Sequence, residues 1–211
     1  MVVYLVSTRL PTRFGDFKIY AYKDEEEKQA EPHLALVKGT LKNKSSVLVR
    51  IHSECLTGDV FWSMRCDCGE QLSTALQAIE QENCGVLIYL RQEGRGIGLI
   101  NKLQAYELQD QGLDTVDANL VLGFGPDHRH YKAAIEILKD LGVLSVRLLT
   151  NNPGKVSDFD GSGIRIIERV PIQVHPNHEN MKYLRTKRER LGHFIDLYGL
   201  SRTKEPFTSE Q

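Results

Sequence analysis

The sequence predicts an α+β (mixed α/β) fold, a single domain in which mixed sheets pack against helices, and three observations carry that prediction. Four short runs rich in β-branched and aromatic residues, separated by turn-forming breaks, fill the first 52 positions. Beyond residue 70, stretches with apolar residues at helical spacing alternate with short continuous apolar runs. A composition of 41% hydrophobic and 26% charged residues over 211 positions is that of an ordinary globular chain, able to bury a sizeable core. No internal repeat, low-complexity tract or long linker interrupts it, so residues 1–200 are expected to form one domain and 201–211 a flexible C-terminal tail.

The elements follow in order. "VVYLVS" (2–7), "GDFKIYAY" (15–22), "HLALVKG" (33–39) and "SVLVRIH" (46–52) are predicted strands, and the charged break "KDEEEKQAEP" (23–32) a solvated hairpin or loop. "EQLSTALQAIEQE" (70–82) puts Leu72, Leu76 and Ile79 at helical spacing and stops near Gly85, after which "GVLIYLRQ" (85–92) is a buried strand. "IGLINKLQAYELQDQG" (97–112) and "HYKAAIEILKDLG" (130–142) are helices closed by Gly112 and Gly142. "SVRLLT" (145–150) is a strand leading into the turn "NNPGK" (151–155), "IRIIERVPI" (164–172) is another strand, and the basic stretch 178–198 is helical.

Charge and targeting signals narrow the function. With 27 Lys and Arg against 28 Asp and Glu the net charge is -1, which gives no global electrostatic reason to bind nucleic acid or a membrane, so any anion site must be local. The N-terminus lacks the basic flank, apolar region and cleavage site of a secretory signal, and no stretch approaches the roughly 18 to 20 apolar residues of a membrane span. A cytoplasmic protein is the expectation. There thiols stay reduced, and clustered cysteines more often bind metal than each other.

Three of the four cysteines lie in "HSECLTGDVFWSMRCDCGEQ" (52–71). Ten residues separate Cys55 from Cys66, and one separates Cys66 from Cys68. Joint ligation through C-x-C requires a tight turn, for which Asp67 and Gly69 are suitable. Three thiolates on zinc leave an open fourth position, the mark of a catalytic site; a closed Cys3His site completed by His52 is the alternative. His52-Ser53-Glu54 also invites comparison with the H-x-E of zinc deaminases, but the P-C-x-x-C that accompanies it there is absent. Cys84 is expected to be a small buried hydrophobe.

Read together, "RIHSECLTGDVFWSMRCDCGEQL" (50–72), "RQEGRGIGLINKLQAYELQDQGLDTVDAN" (91–119), "DHR" (127–129) and "LLTNNPGK" (148–155) resemble the successive signatures of GTP cyclohydrolase II. The likeness runs from "LPTRFGDF" (10–17) to about residue 190. It implies a cytoplasmic homodimer, a hydrolase acting on cyclic amidine C–N bonds. Such an enzyme uses zinc and magnesium to convert GTP into formate, pyrophosphate and 2,5-diamino-6-(5-phosphoribosylamino)pyrimidin-4-one at the start of riboflavin biosynthesis. Some relatives fuse this unit to dihydroxybutanone phosphate synthase; this chain is expected to be monofunctional. Trp62 departs from the pattern, standing where the family commonly has a small residue.

The chemistry suits the residues. Carbon 8 of guanine lies between two nitrogens at the oxidation level of formate, so its release takes two attacks by water, which a metal can acidify to a pKa of about 7. The resemblance implies Cys55, Cys66 and Cys68 as zinc ligands, with Tyr106 assisting hydrolysis near the metal; on helical spacing alone Tyr106 would be a core aromatic beside Leu103 and Leu108. It implies Asp127 as proton acceptor and Arg129 as nucleophile toward the α-phosphate, although a guanidinium is ordinarily a donor that clamps phosphate. By the same resemblance, Arg50, Ile51, His52, Ser53, Glu54, Gln71, Glu93, Gly94, Arg95, Thr115, Thr150 and Lys155 contact GTP, and magnesium binds through its phosphates. "EGRGIG" (93–98) lacks P-loop spacing but places a glycine-rich turn before a helix.

Overall fold

The computed structural model of the protein describes residues 1–26, 31–125 and 127–197. The expected tail 201–211 and part of the charged break at 23–32 fall outside them. Among the described residues there are seven strands: β1 (Val2–Thr12), β2 (Gly15–Asp24), β3 (His33–Lys38), β4 (Val47–Ser53), β5 (Gly85–Leu90), β6 (Ser145–Leu149) and β7 (Arg165–Val170). They form one sheet, rather than several, in the order β1-β2-β3-β5-β4-β6-β7. The β1 to β3 ribbon joins β5 antiparallel, and β5, β4, β6 and β7 run parallel. β1 extends five residues past the predicted stop because Leu10, Pro11 and Thr12 pair with Phe17, Asp16 and Gly15 across a hairpin.

The helices are α1 (Leu56–Asp59), α2 (Cys68–Gln81), α3 (Gly98–Asp110), α4 (Thr115–Val121), α5 (Lys132–Asp140), α6 (Pro153–Ser157) and α7 (Met181–Leu191). Sequence periodicity predicts the long ones and misses α1, α4 and α6, which are too short to show a period. Local chemistry nucleates two of these. Asp114 accepts from the Val116 and Asp117 amides (2.8 and 2.9 Å) to cap α4. Asn152 accepts from the Gly154 amide (2.9 Å) with Pro153 at the first helical position, so the predicted "NNPGK" turn is a helix start.

Alternation along the central strands gives the sheet two cores. Val47, Val49 and Ile51 of β4, Val86 and Ile88 of β5, and Val146 and Leu148 of β6 face one side, where Ala134, Ile137 and Leu138 of α5 cover them. Leu48, Leu87 and Leu149 face the other, under Ala75, Leu76 and Ile79 of α2. α2, between β4 and β5 in the chain, and α5, which precedes β6, thus lie on opposite faces, and β4 has β5 on one side and β6 on the other. In a parallel sheet that reversal opens a crevice beyond the carboxyl ends of the strands. Residues 53–56, 91–98 and 150–155 all emerge there.

Ile88 is fully buried in the middle of the sheet. Ile88→Ala should therefore cost about 2–5 kcal/mol of stability, read as a lowered denaturant midpoint with an unchanged slope.

Candidate functional site

The crevice holds a cavity of about 1020 Å³, a volume that includes space open to solvent. β4 supplies its floor. Because Ile51 faces the first core, its neighbours Arg50 and His52 face the cavity. Arg50 donates from Nη2 to Gln71 Oε1 (2.6 Å) and from Nη1 to the Leu149 carbonyl (3.0 Å). His52 Nε2 bonds both oxygens of Asp59 (3.0 and 3.1 Å); burial pushes its pKa down, which makes the ring neutral and Nε2–H the donor. Arg50 Nε and His52 Nδ1 are buried with no protein partner.

Asp59, absent from the sequence-based expectations, organises the start of the thiol loop. Besides His52 it accepts from the Cys55 amide (2.9 Å) and the Tyr89 hydroxyl (2.8 Å). Two turns of chain then bring Cys55, Cys66 and Cys68 together, with all three sulfurs within 4.8 Å of one another and Cys55 Sγ 3.7 Å from Cys66 Sγ. All are free thiols. Cys66 and Asp67 lie in a bend that leads into α2, which Cys68 begins, and that bend brings the C-x-C pair to one side. Among the described residues no His, Asp or Glu joins this group, and His52 is engaged by Asp59 instead.

Two glycines let the loop close. A Cβ on Gly58 would stand 2.7 Å from Cys66 Sγ and 3.3 Å from Cys55 Sγ, and one on Gly69 only 2.3 Å from the Gly58 carbonyl. Trp62 lies beside Gly69, with Arg13 5.5 Å over its ring. Cys84 is apart from the cluster and half-buried against the first core, short of the full burial expected of it.

Lys102, also unanticipated, sits one helical turn before Tyr106 on α3. Its Nζ donates to Cys55 Sγ (3.1 Å) and Glu93 Oε1 (2.8 Å). Glu93 is fully occupied, since it also accepts from the Gly94 amide (2.7 Å) and the Leu56 amide (2.6 Å). Glu54 keeps one oxygen paired with Arg91 (3.0 Å), and burial raises its pKa. Tyr106 is at the cavity, not in the core; its hydroxyl lies 3.4 Å from Thr57 Oγ1, while Leu103 beside it is exposed.

The thiols share charge unevenly. Cys55 is held far below the ordinary thiol value, chiefly because Cys66 and Cys68 donate to it and then because Lys102 lies beside it. Cys66 is pushed up to about 12 and Cys68 upward too, because each adjoins the Cys55 thiolate and is buried. A divalent cation is what would hold three thiolates here together.

A second set of residues lining the cavity is basic. Burial works against charge on Arg129, but Asp127 accepts from its Nε (2.8 Å) and Nη2 (2.5 Å) and holds the guanidinium charged. Asp127 stands behind Arg129 and does not line the cavity. Lys155 Nζ donates to the Ile51 carbonyl (2.6 Å), and burial, then Arg50 and Arg129, push its pKa well down. Thr115, Thr150, Ser53, Gly94 and Arg95 also line the space, so of the expected contacts Ile51 alone contributes only through that carbonyl. Tyr183, Lys187 and His193 line it as well. The basic stretch 178–198 that carries them is helical over Met181–Leu191, as expected, but nothing in its sequence marks it as facing the cavity.

Residues 4–171 match the family model of GTP cyclohydrolase II, and the chain belongs to that family. Among curated proteins it is 51% identical to riboflavin biosynthesis protein RibBA of Endomicrobium trichonymphae over 191 residues, 90% of this chain and 47% of that one. RibBA of Bacillus subtilis (strain 168) is 56% identical over 191 residues, again 90% of this chain and 48% of the relative. The chain thus spans about half the length of the curated relatives it matches. A solved structure, RibBX, a two domain 3,4-dihydroxy-2-butanone 4-phosphate synthase from A. baumannii, superposes with a TM-score of 0.46 and 19% identity over 82% of this chain and 40% of that one.

Gly58→Ala tests the thiol loop directly. Its methyl group would displace Cys66, so metal affinity measured by chelator competition should fall about tenfold or more while the far-ultraviolet spectrum is kept.

Proposed function

We propose that this chain is a zinc-dependent GTP cyclohydrolase II acting in riboflavin biosynthesis. It would open the guanine imidazole ring to release formate and pyrophosphate and give 2,5-diamino-6-(5-phosphoribosylamino)pyrimidin-4-one. One observation supports this above others: a three-thiol cluster and a cationic wall face the same cavity. One end suits ring hydrolysis and the other a triphosphate.

The thiols fit zinc. Four donors about 2.3 Å from a tetrahedral zinc stand about 3.8 Å apart, and Cys55 and Cys66 already stand at 3.7 Å. Zinc held by Cys55, Cys66 and Cys68 would supply Lewis acidity toward water, which the two hydrolytic steps at carbon 8 need. The chain's own groups do the rest. Lys102 offsets thiolate charge at Cys55, and Glu93 holds Lys102 in place. Burial raises the Tyr106 pKa, so its phenol keeps its proton and donates a hydrogen bond beside the thiols. Glu54, paired with Arg91, faces the cavity as an acceptor for guanine N–H groups.

At the phosphate end, a guanidinium held charged by Asp127 has no lone pair to attack with. Arg129 is therefore read as a clamp on the α-phosphate, with a third water displacing pyrophosphate. Asp127 orients the clamp through its two-point bond. Magnesium would bind the phosphates. A cytoplasmic homodimer is the family's form, and the exposed Phe61, Trp62 and Met64 of the thiol loop offer apolar surface for a second copy.

Incubating metal-replete protein with GTP and magnesium should release formate and pyrophosphate, followed by enzymatic formate detection and product mass; no formate would sink the proposal. Tyr106→Phe should slow formate release roughly 10²-fold or more and accumulate the heavier ring-opened formamide. Full release by that variant would remove Tyr106 from the hydrolytic step.

A further inference from the structure

The family match ends at residue 171, yet the following segment supplies one wall of the cavity through Tyr183, Lys187 and His193. It is tied down at several points. Lys182 Nζ donates to the Gly112 and Leu113 carbonyls (2.9 and 3.2 Å), and Arg190 Nη1 to Asp114 and Asp117 (2.5 and 2.8 Å), which fastens α7 to the start of α4. Lys187 Nζ reaches Asp67 Oδ1 (2.9 Å) across the cavity edge. α7 then ends at Gly192, whose left-handed backbone (φ 65°) lets the His193 amide return to the Lys187 carbonyl (3.0 Å). The Phe194 amide bonds the Asn151 carbonyl (2.9 Å), and Arg169 lies over the Phe194 ring at 4.8 Å. His193 is thereby fixed over the phosphate end.

The surroundings of His193 are cationic on every side. Lys187 comes from α7, Arg129 from the chain before α5, Arg95 from the turn after β5 and Lys155 from α6, and the phenol of Tyr183 on α7 lines the same cavity. Two carboxylates beside these cations are engaged, Asp127 on Arg129 and Asp67 on Lys187. With Arg50, five basic side chains line this part of the cavity, while the carboxylates that line the cavity, Glu54 and Glu93, are paired with Arg91 and Lys102. Buried charge in such excess calls for an anion of several charges. Burial first, and then the four cations, push the His193 pKa down to about 2, so the free protein holds a neutral imidazole there. An arriving polyanion would reverse the sign of the local field and let the ring gain a proton and become a second donor.

We propose that the segment Met181–Ile195 clamps the polyphosphate chain of the nucleotide, with His193 contacting it and taking up a proton as it binds. This rests on the reading of the substrate as a nucleoside triphosphate. Calorimetry of the full, metal-replete chain with inorganic triphosphate and with GMP, in two buffers of different ionisation enthalpy, tests it. His193→Asn should weaken inorganic triphosphate roughly tenfold or more, the loss of one charge-assisted bond, take up fewer protons and bind GMP as the wild type does. His193→Gln, which keeps a donor on a longer arm but cannot gain a proton, should recover part of the affinity and none of the proton uptake. Unchanged triphosphate binding and proton uptake in His193→Asn, or equal weakening toward GMP, would overturn the proposal. If wild-type protein binds inorganic triphosphate through His193 yet releases no formate from GTP, the clamp stands and the cyclohydrolase reading fails.

Discussion

Asp67 is the charge on which the site hangs. It sits between Cys66 and Cys68, is 2% exposed, and accepts from Lys187 Nζ and, at 2.6 Å, from Gln71 Nε2. Gln71 passes the connection to Arg50, and Arg50 to the Leu149 carbonyl. One buried chain of hydrogen bonds therefore joins α7, the thiol loop, α2, β4 and β6. Removing one partner of such a pair strands a charge in the interior, at a cost of about 3–5 kcal/mol. The position of the thiols and that of the cationic wall are not independent variables.

Carboxylates in this site serve as braces. Asp59 gathers His52, Tyr89 and the Cys55 amide; Glu93 gathers Lys102 and two backbone amides; Asp127 squares Arg129 to the cavity. None of these three joins the thiol group. The division has a physical logic. Fixed acceptors pre-orient donors before a ligand arrives, so the cost of ordering them has been met in folding. Oxygens left free in the cavity would repel phosphate.

Much of this was legible in the sequence, for definable reasons. β-branched runs and helical periodicity mark elements long enough to show a period, and the 55, 66, 68 spacing marks the thiol site. The alternation of β4 already implies that Arg50 and His52 share a face and that Ile51 opposes them, although the resemblance grouped all three as ligand contacts. What stayed hidden depends on distant partners. Lys102 is an ordinary helical lysine until Cys55 and Glu93 are placed around it. Asp59 is one acid in a loop until His52 folds over it. Lys187 and His193 lie in a basic run whose surface character is cancelled only by Asp67 and by the Asn151 turn. α4 and α6 left only capping signals, Asp114 and Asn152, too brief to outweigh a loop reading.

The Lys187 to Asp67 bond spans 120 residues of sequence, against 99 for the widest strand pairing in the parallel half of the sheet, Val47 with Val146. Chain entropy makes so distant a closure costly until the intervening structure has formed. During vectorial synthesis the thiol loop and its strands are complete well before residue 187 emerges. The order of assembly thus separates two events: the sulfur cluster can form on an open cleft, and the last helix then seals it.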